Sequence, residues 1–246
     1  MPIPTVTSTG MVLPTKWLKP LISFFVSVLE HLPKVDPSIL SSLTNYCSID
    51  FVIFPEKVEQ SLEKINIYKA PGPDGLPSWL LRDFAPYICE PLAAIYNASS
   101  REVYVPQIWK ATEVIPVPKK PRPRHISTNL RPISLLPCIA KVLESLVGEW
   151  FLPVLNPTFD PNQFGCRGNW STTHALAAMA HERQSALDQR AAVRVVLVDF
   201  KKAFDSANHN ILLNKFYEKN IPHCLIKWFV SYLQHRTQRA SLGSDL

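Results

Sequence analysis

The sequence predicts an α+β fold, and three observations carry that prediction. Apolar residues recur at helical spacing in several segments: Val58, Leu62 and Ile65, then Leu92, Ile95 and Tyr96, then Ile139, Val142, Leu143, Leu146, Val147 and Trp150. Two strand-like limbs, Trp109–Pro118 and Leu130–Leu136, flank the basic stretch Lys119–Asn129, the pattern of a hairpin with a long tip. The run Val193–Val198 is β-branched and aliphatic, the signature of a strand buried on both faces, and it ends on Asp199.

Taken in order, residues 1–20 hold four prolines and no periodic signal, and read as irregular or disordered. Pro20 can open a helix with Ile22, Phe25, Val26 and Leu29 on one face. A turn at Pro33–Pro37 leads to a short helix over Ser38–Asn45, and Phe51–Phe54 is strand-like. A helix over Glu56–Asn66 follows. Lys69–Leu76 (KAPGPDGL) then places two glycines and two prolines around an Asp, which gives successive tight turns. Its amides can cradle a phosphate, although the pattern GxxxxGK[ST] is absent. Further helices are expected over Pro77–Phe84, Pro86–Glu102 and Cys138–Phe151. The loop Gln163–Ser171 precedes an alanine-rich helix over Thr172–Gln189. Helices over Asn208–Asn220 and Cys224–Gln234 follow, and Thr237–Gly243 reads as the first arm of a hairpin.

With 46% hydrophobic and 19% charged residues, the 246-residue chain is globular in composition and long enough to bury a core. The formal charge of +6 is modest, but it is concentrated. Lys110, Lys119, Lys120, Arg122, Arg124 and Arg131 are opposed over their span by Glu113 alone, which suits a polyanion and equally a solvated proline-rich loop. The five cysteines have neither zinc-ligand nor disulfide-framework spacing, which points to reduced thiols and an intracellular location, cytoplasmic or nuclear. The apolar run Leu21–Leu32 is too short and too interrupted to span a bilayer, and no membrane partner is expected.

Asp199 is the residue with the most chemistry to offer. A carboxylate at a strand end is suited to Mg²⁺, and equally to capping the helix that follows. Trp109 and Trp170 flank basic segments, where they can stack on bases or pack. His174 and His181 read as ordinary helix histidines, and Asp205 as a helix cap.

KAPGPDGLP, VIPVPKK, LRPISLL, QFGCRGNWSTTHAL, VLVDFKKAFDSANHNILL and LIKWFVSYLQHRTQRASL occur in that order from Lys69 onward. This series closely resembles the reverse transcriptase of non-LTR (LINE-type) retrotransposons. The resemblance implies a partial right-hand polymerase, with helical fingers carrying a basic β-hairpin and an incomplete palm sheet. The implied division is a lead-in over residues 21–68, fingers over 69–192 and part of the palm over 193–246.

The resemblance also implies roles. Asp199 would be the catalytic carboxylate that binds Mg²⁺, helped by the carbonyl of Phe200. Lys119 and Arg131 would grip the incoming deoxynucleoside triphosphate, with Lys120 a competitor for the place of Lys119. Phe204 would be the gate against a ribose 2′-OH, with Ala203 beside it. Gln163, Gly165 and Arg167 would handle template. Cys166 departs from the family pattern, which more often has an aromatic there.

The implied partners are an RNA template, a DNA primer and deoxynucleoside triphosphates, and the implied reaction is addition to a primer 3′-OH by a two-Mg²⁺ mechanism. Asp199 is one of three carboxylates that such a site needs, and the later Asp-Asp strand is not in this sequence. The isolated chain is therefore expected to lack polymerase activity. The other readings are a non-catalytic RNA-binding remnant of the fingers and an RNA-dependent RNA polymerase palm.

Overall fold

A computed structural model describes residues 5–6, 12–13, 20, 33–43, 51–119, 129–200, 203 and 206–240. The expected helix after Pro20, the hairpin tip, Phe204 and Asp205 lie outside the described residues. The chain divides into one unit of Met1–Trp150 with Phe204–Leu246 and a second of Phe151–Ala203.

The first unit begins with two paired two-residue strands, β1 (Thr5–Val6) and β2 (Val12–Leu13), where an irregular segment was expected. Helices α1 (Pro37–Ser42), α2 (Pro55–Glu63), α3 (Ser78–Asp83) and α4 (Ala85–Arg101) follow. A 3₁₀ turn at Gln107–Lys110 leads into β3 (Ala111–Pro118), then β4 (Leu130–Leu135) and α5 (Cys138–Leu155), which runs on into the second unit. The second unit contributes α6 (Thr172–Asp188). The first unit resumes with α7 (His209–Glu218), α8 (His223–Leu233) and β5 (Thr237–Ala240).

The helical periodicities become a packed core. Val58 and Leu62 of α2 are fully buried on one face, against the α4 face that carries Leu92, Ala93 and Tyr96. The Tyr96 hydroxyl donates to the Ile139 carbonyl at 2.7 Å, and its ring meets Trp109 edge-on at 5.6 Å. Trp109 is thus a packing residue, with 9% of its surface exposed.

Phe51–Phe54 does not form a strand. Asn97 of α4 takes both backbone groups of Ile53, accepting from its N–H at 2.8 Å and donating to its carbonyl at 2.9 Å. One amide side chain therefore stands in for a partner strand.

The turn KAPGPDGL is pinned to the β4–α5 junction. A Cβ at Gly72 would lie 2.5 Å from the Pro137 nitrogen and 2.6 Å from the Leu136 carbonyl. The Gly75 N–H donates to the Gly72 carbonyl at 3.0 Å, and Gly75 has φ +67°, a conformation that glycine adopts without a Cβ penalty.

The sheet has the order β4-β3-β5. β3 and β4 form the expected antiparallel hairpin, in register from Glu113↔Leu135 to Pro118↔Leu130. β5 pairs with β3 in parallel, from Ala111↔Thr237 to Val114↔Ala240, and is an edge strand among the described residues. Bonds from the end of α4 and the segment after it to α8 and the residues that follow it hold it there. The Trp228 indole donates to Ser99 Oγ at 3.2 Å, the Val105 N–H to Ser231 Oγ at 2.9 Å, and the Gln107 amide to the His235 carbonyl at 2.6 Å.

The Tyr232 hydroxyl donates to Glu144 of α5 at 2.7 Å. Burial, and then the Glu144 charge, push its pKa up to about 12 from 10.0. Because the folded pKa is raised, the stabilisation is complete below pH 10 and lost as pH rises toward 12. The unfolding free energy should fall by about 2 kcal/mol across that window. Urea titrations at pH 9 and pH 12 should show the fall, and Tyr232→Phe should shrink it; an equal fall in the variant would remove Tyr232 as the cause.

The expected buried strand Val193–Val198 is not formed. Residues 191–200 are irregular, with Val196 83% and Leu197 86% exposed. β-Propensity expresses packing against neighbouring strands. Among the described strands none pairs with this run.

Candidate functional site

The β3–β4 ladder continues one step past the strands, because the Lys119 N–H donates to the Asn129 carbonyl at 2.8 Å. Val117 is opposite Arg131, and side chains alternate across a sheet, so Lys119 and Arg131 share one face. Such diagonal neighbours lie about 7–8 Å apart, within the span of one triphosphate held from two sides. Both side chains are exposed, and among the described residues Arg131 has no carboxylate partner. Val114 and Pro116 lie on the opposite, core-facing side of the ribbon. Glu113 is the acid on the Lys119–Arg131 face among the described residues, and it pairs with Arg239 of β5 at 3.6 Å. Lys120 lies outside the described residues.

In the second unit, Gln163, Gly165 and Arg167 fall in one loop. Arg167 donates to the carbonyls of Asp160 and Gln163, each at 3.3 Å. Its guanidinium also lies over the Trp170 ring at 5.0 Å and the Phe159 ring at 5.8 Å. Gln163 donates from its amide to the Gly165 carbonyl at 3.3 Å. These residues build the loop, and Trp170 packs edge-on to Phe164 at 5.3 Å. Cys166 is exposed, at φ +58°.

Sequence reasoning missed the cap of α6. Ser171 and His174 form a reciprocal box in which the Ser171 N–H donates to His174 Nδ1 at 3.1 Å. The signal was a Ser-x-x-His spacing in place of the commoner Ser-x-x-Glu. The cap of α7 is Asn208, whose side chain accepts from the N–H groups of Asn210 and Ile211. Asp199 lies too far back along the chain to cap α7.

Asp199, Phe200 and Ala203 are exposed in the second unit. A carboxylate and a backbone carbonyl are oxygen donors, which suits them to a hard cation such as Mg²⁺. Among the described residues no three His, Cys, Asp or Glu side chains come together as a metal site, so Asp199 fits one ligand position of such a site and not the whole of it. No helix among the described residues is long and apolar enough to cross a membrane.

Residues 117–244 match the family model described as reverse transcriptase (RNA-dependent DNA polymerase). The chain belongs to the reverse transcriptase family. It is 28% identical, over 80% of its length, to a probable RNA-directed DNA polymerase from transposon BS of Drosophila melanogaster, covering 22% of that protein. It is 28% identical over 76% of its length to the RNA-directed DNA polymerase from mobile element jockey of the same fly, covering 20%. A Pol polyprotein from the type-1 retrotransposable element R1 of Bradysia coprophila is 30% identical over 66% of this chain and 16% of that protein. This reverse transcriptase chain thus spans about a fifth of the length of the relatives it matches. The resemblance to non-LTR retrotransposon enzymes read from its motifs is borne out.

Proposed function

We propose that this chain is the fingers and first palm portion of an RNA-directed DNA polymerase, which works on an RNA template, a DNA primer and deoxynucleoside triphosphates. The observation that carries the reading is the pairing of Lys119 and Arg131 on one exposed face of the β3–β4 hairpin, within the residues that match the family. Arg131 suits bidentate capture of a phosphate, and Lys119 supplies a point charge. Phosphoryl transfer asks a protein chiefly for positioning and charge neutralisation, so two cations on a stiff ribbon are suitable groups for holding a triphosphate.

Asp199 and the Phe200 carbonyl would hold Mg²⁺. When bound, Mg²⁺ neutralises charge on the phosphates and activates the attacking hydroxyl. In the same reading Phe204 excludes a 2′-hydroxyl by bulk, Ala203 lines the sugar, and Gln163, Gly165 and Arg167 form the loop that meets template. A second reading, an RNA-binding module without chemistry, is favoured by the lack of a three-residue metal cluster among the described residues.

Fluorescence anisotropy with a labelled deoxynucleoside triphosphate and with single-stranded RNA tests the site. Lys119→Ala and Arg131→Ala should each weaken triphosphate binding about tenfold, the loss of one charge-assisted contact. Each should also lower the salt slope of RNA binding by about 0.7 if the residue meets backbone phosphate. Loss of RNA affinity alone would favour the binding module, and unchanged affinity for both ligands would remove the hairpin from the site.

A further inference from the structure

The first unit holds a polar cavity that the reading of the hairpin does not use. A cavity of about 610 Å³ opens beneath the sheet, lined by Lys34, Thr112, Ser134, His209, Arg236 and Gln238 among others. Its size is that of a small-ligand site. Thr112 is opposite Gln238 in the β3–β5 ladder, and Val114 is opposite Ser134 in the β3–β4 ladder. These polar side chains therefore share the sheet face opposite Lys119 and Arg131.

The cavity is built by specific bonds. Asn210 accepts from the Asp36 N–H at 2.8 Å and donates to the Lys34 carbonyl at 3.0 Å, which fixes the Lys34 segment to α7. His235, also in the lining, is held at φ +55° while its carbonyl accepts from Gln107. A non-glycine residue in that conformation persists where its surroundings over-determine it.

None of the described lining residues is Asp or Glu. Arg236 has no carboxylate partner among the described residues; it donates to the Tyr232 carbonyl at 3.2 Å and lies 4.6 Å over the Tyr232 ring. Of the acids on adjoining segments, Asp36 accepts from the Ser38 N–H, and Glu144 accepts from the Tyr232 hydroxyl, on which the Arg236 charge also acts. Burial lowers the pKa of both His209 and the nearly buried Lys110, and the Arg236 charge lowers each further. A guanidinium beside hydroxyl and amide groups suits an anion with several acceptor oxygens.

We propose that this cavity is a phosphate-binding site, distinct from the hairpin site, in which Arg236 and Lys34 pair with the phosphate oxygens and Thr112, Ser134 and Gln238 donate to them. The phosphate belongs to a nucleic-acid backbone or to a free nucleotide or inorganic ion. The proposal stands without the polymerase reading, because it concerns binding at residues that the reading does not use.

The test is NMR of the His209 and His235 imidazoles in the full chain. The chain is titrated separately with inorganic phosphate and with a short single-stranded RNA, with sodium chloride at matched ionic strength as control. Saturable shifts with phosphate identify a site for the free ion, and saturable shifts with RNA alone identify a backbone phosphate. Either supports the proposal if Arg236→Gln weakens the binding about tenfold. Lys34→Ala, at an exposed position whose backbone makes the bond to Asn210, should weaken it without a folding cost. Shifts that do not saturate, that chloride reproduces, or that both variants leave unchanged would overturn it.

Discussion

Asp199→Asn is expected to lower primer extension on an RNA template about a thousandfold when residues 117–244 replace the matching segment of a full-length relative such as the transposon BS polymerase. Replacing one carboxylate oxygen by an amide removes both a charge and a good ligand for a hard cation. Losing a metal contact made at the reacting phosphate is worth about 4 kcal/mol, or three decades in rate. The readout is the length distribution of a labelled primer after single-turnover mixing with all four deoxynucleotides. A loss of less than about tenfold would sink the assignment.

The second large effect concerns stability. Gly72→Ala should destabilise the first unit by about 3 kcal/mol, because its Cβ would meet backbone atoms of Leu136 and Pro137, which have no rotamer by which to move aside. Gly75→Ala is the control. Nothing lies within 4 Å of a Cβ there, so its cost is that of a left-handed backbone alone, about 1 kcal/mol. Urea denaturation of the two variants separates the causes. Equal losses would mean that the turn matters only for its conformation and that its docking on the β4–α5 junction is unimportant.

Much of the fold was legible because it is local. The helices α2, α4 and α5 announce themselves by apolar spacing, and β3 with β4 by alternation on either side of a basic tip. The shared face of two candidate site residues was legible to the same depth. Lys119 and Arg131 come together through a hairpin register that the two limbs themselves define.

What escaped depends on partners distant in sequence. Val193–Val198 has the composition of a strand, but composition supplies no ladder, and none of the described strands provides one. The extended Ile53 segment is satisfied by Asn97, and nothing in either stretch points to the other. Thr237–Gly243 reads as the first arm of a hairpin, and its parallel pairing with β3 rests on a strand more than a hundred residues earlier. The Arg236 cavity is assembled from five separate stretches of chain, so no motif could signal it.

The bonds that seat β5 join residues 126 to 129 positions apart. On a ribosome adding about 5–20 residues each second, Trp228 and its neighbours emerge many seconds after the segment they fasten. Until then, Ser99 lacks its indole donor and the β3–β4 hairpin has one open flank. Completion of the sheet is therefore a late event in the life of the polypeptide. A ribosome stalled before Thr237 should display a chain more readily cut by protease near residues 99–111 than one stalled after the end of β5 is exposed.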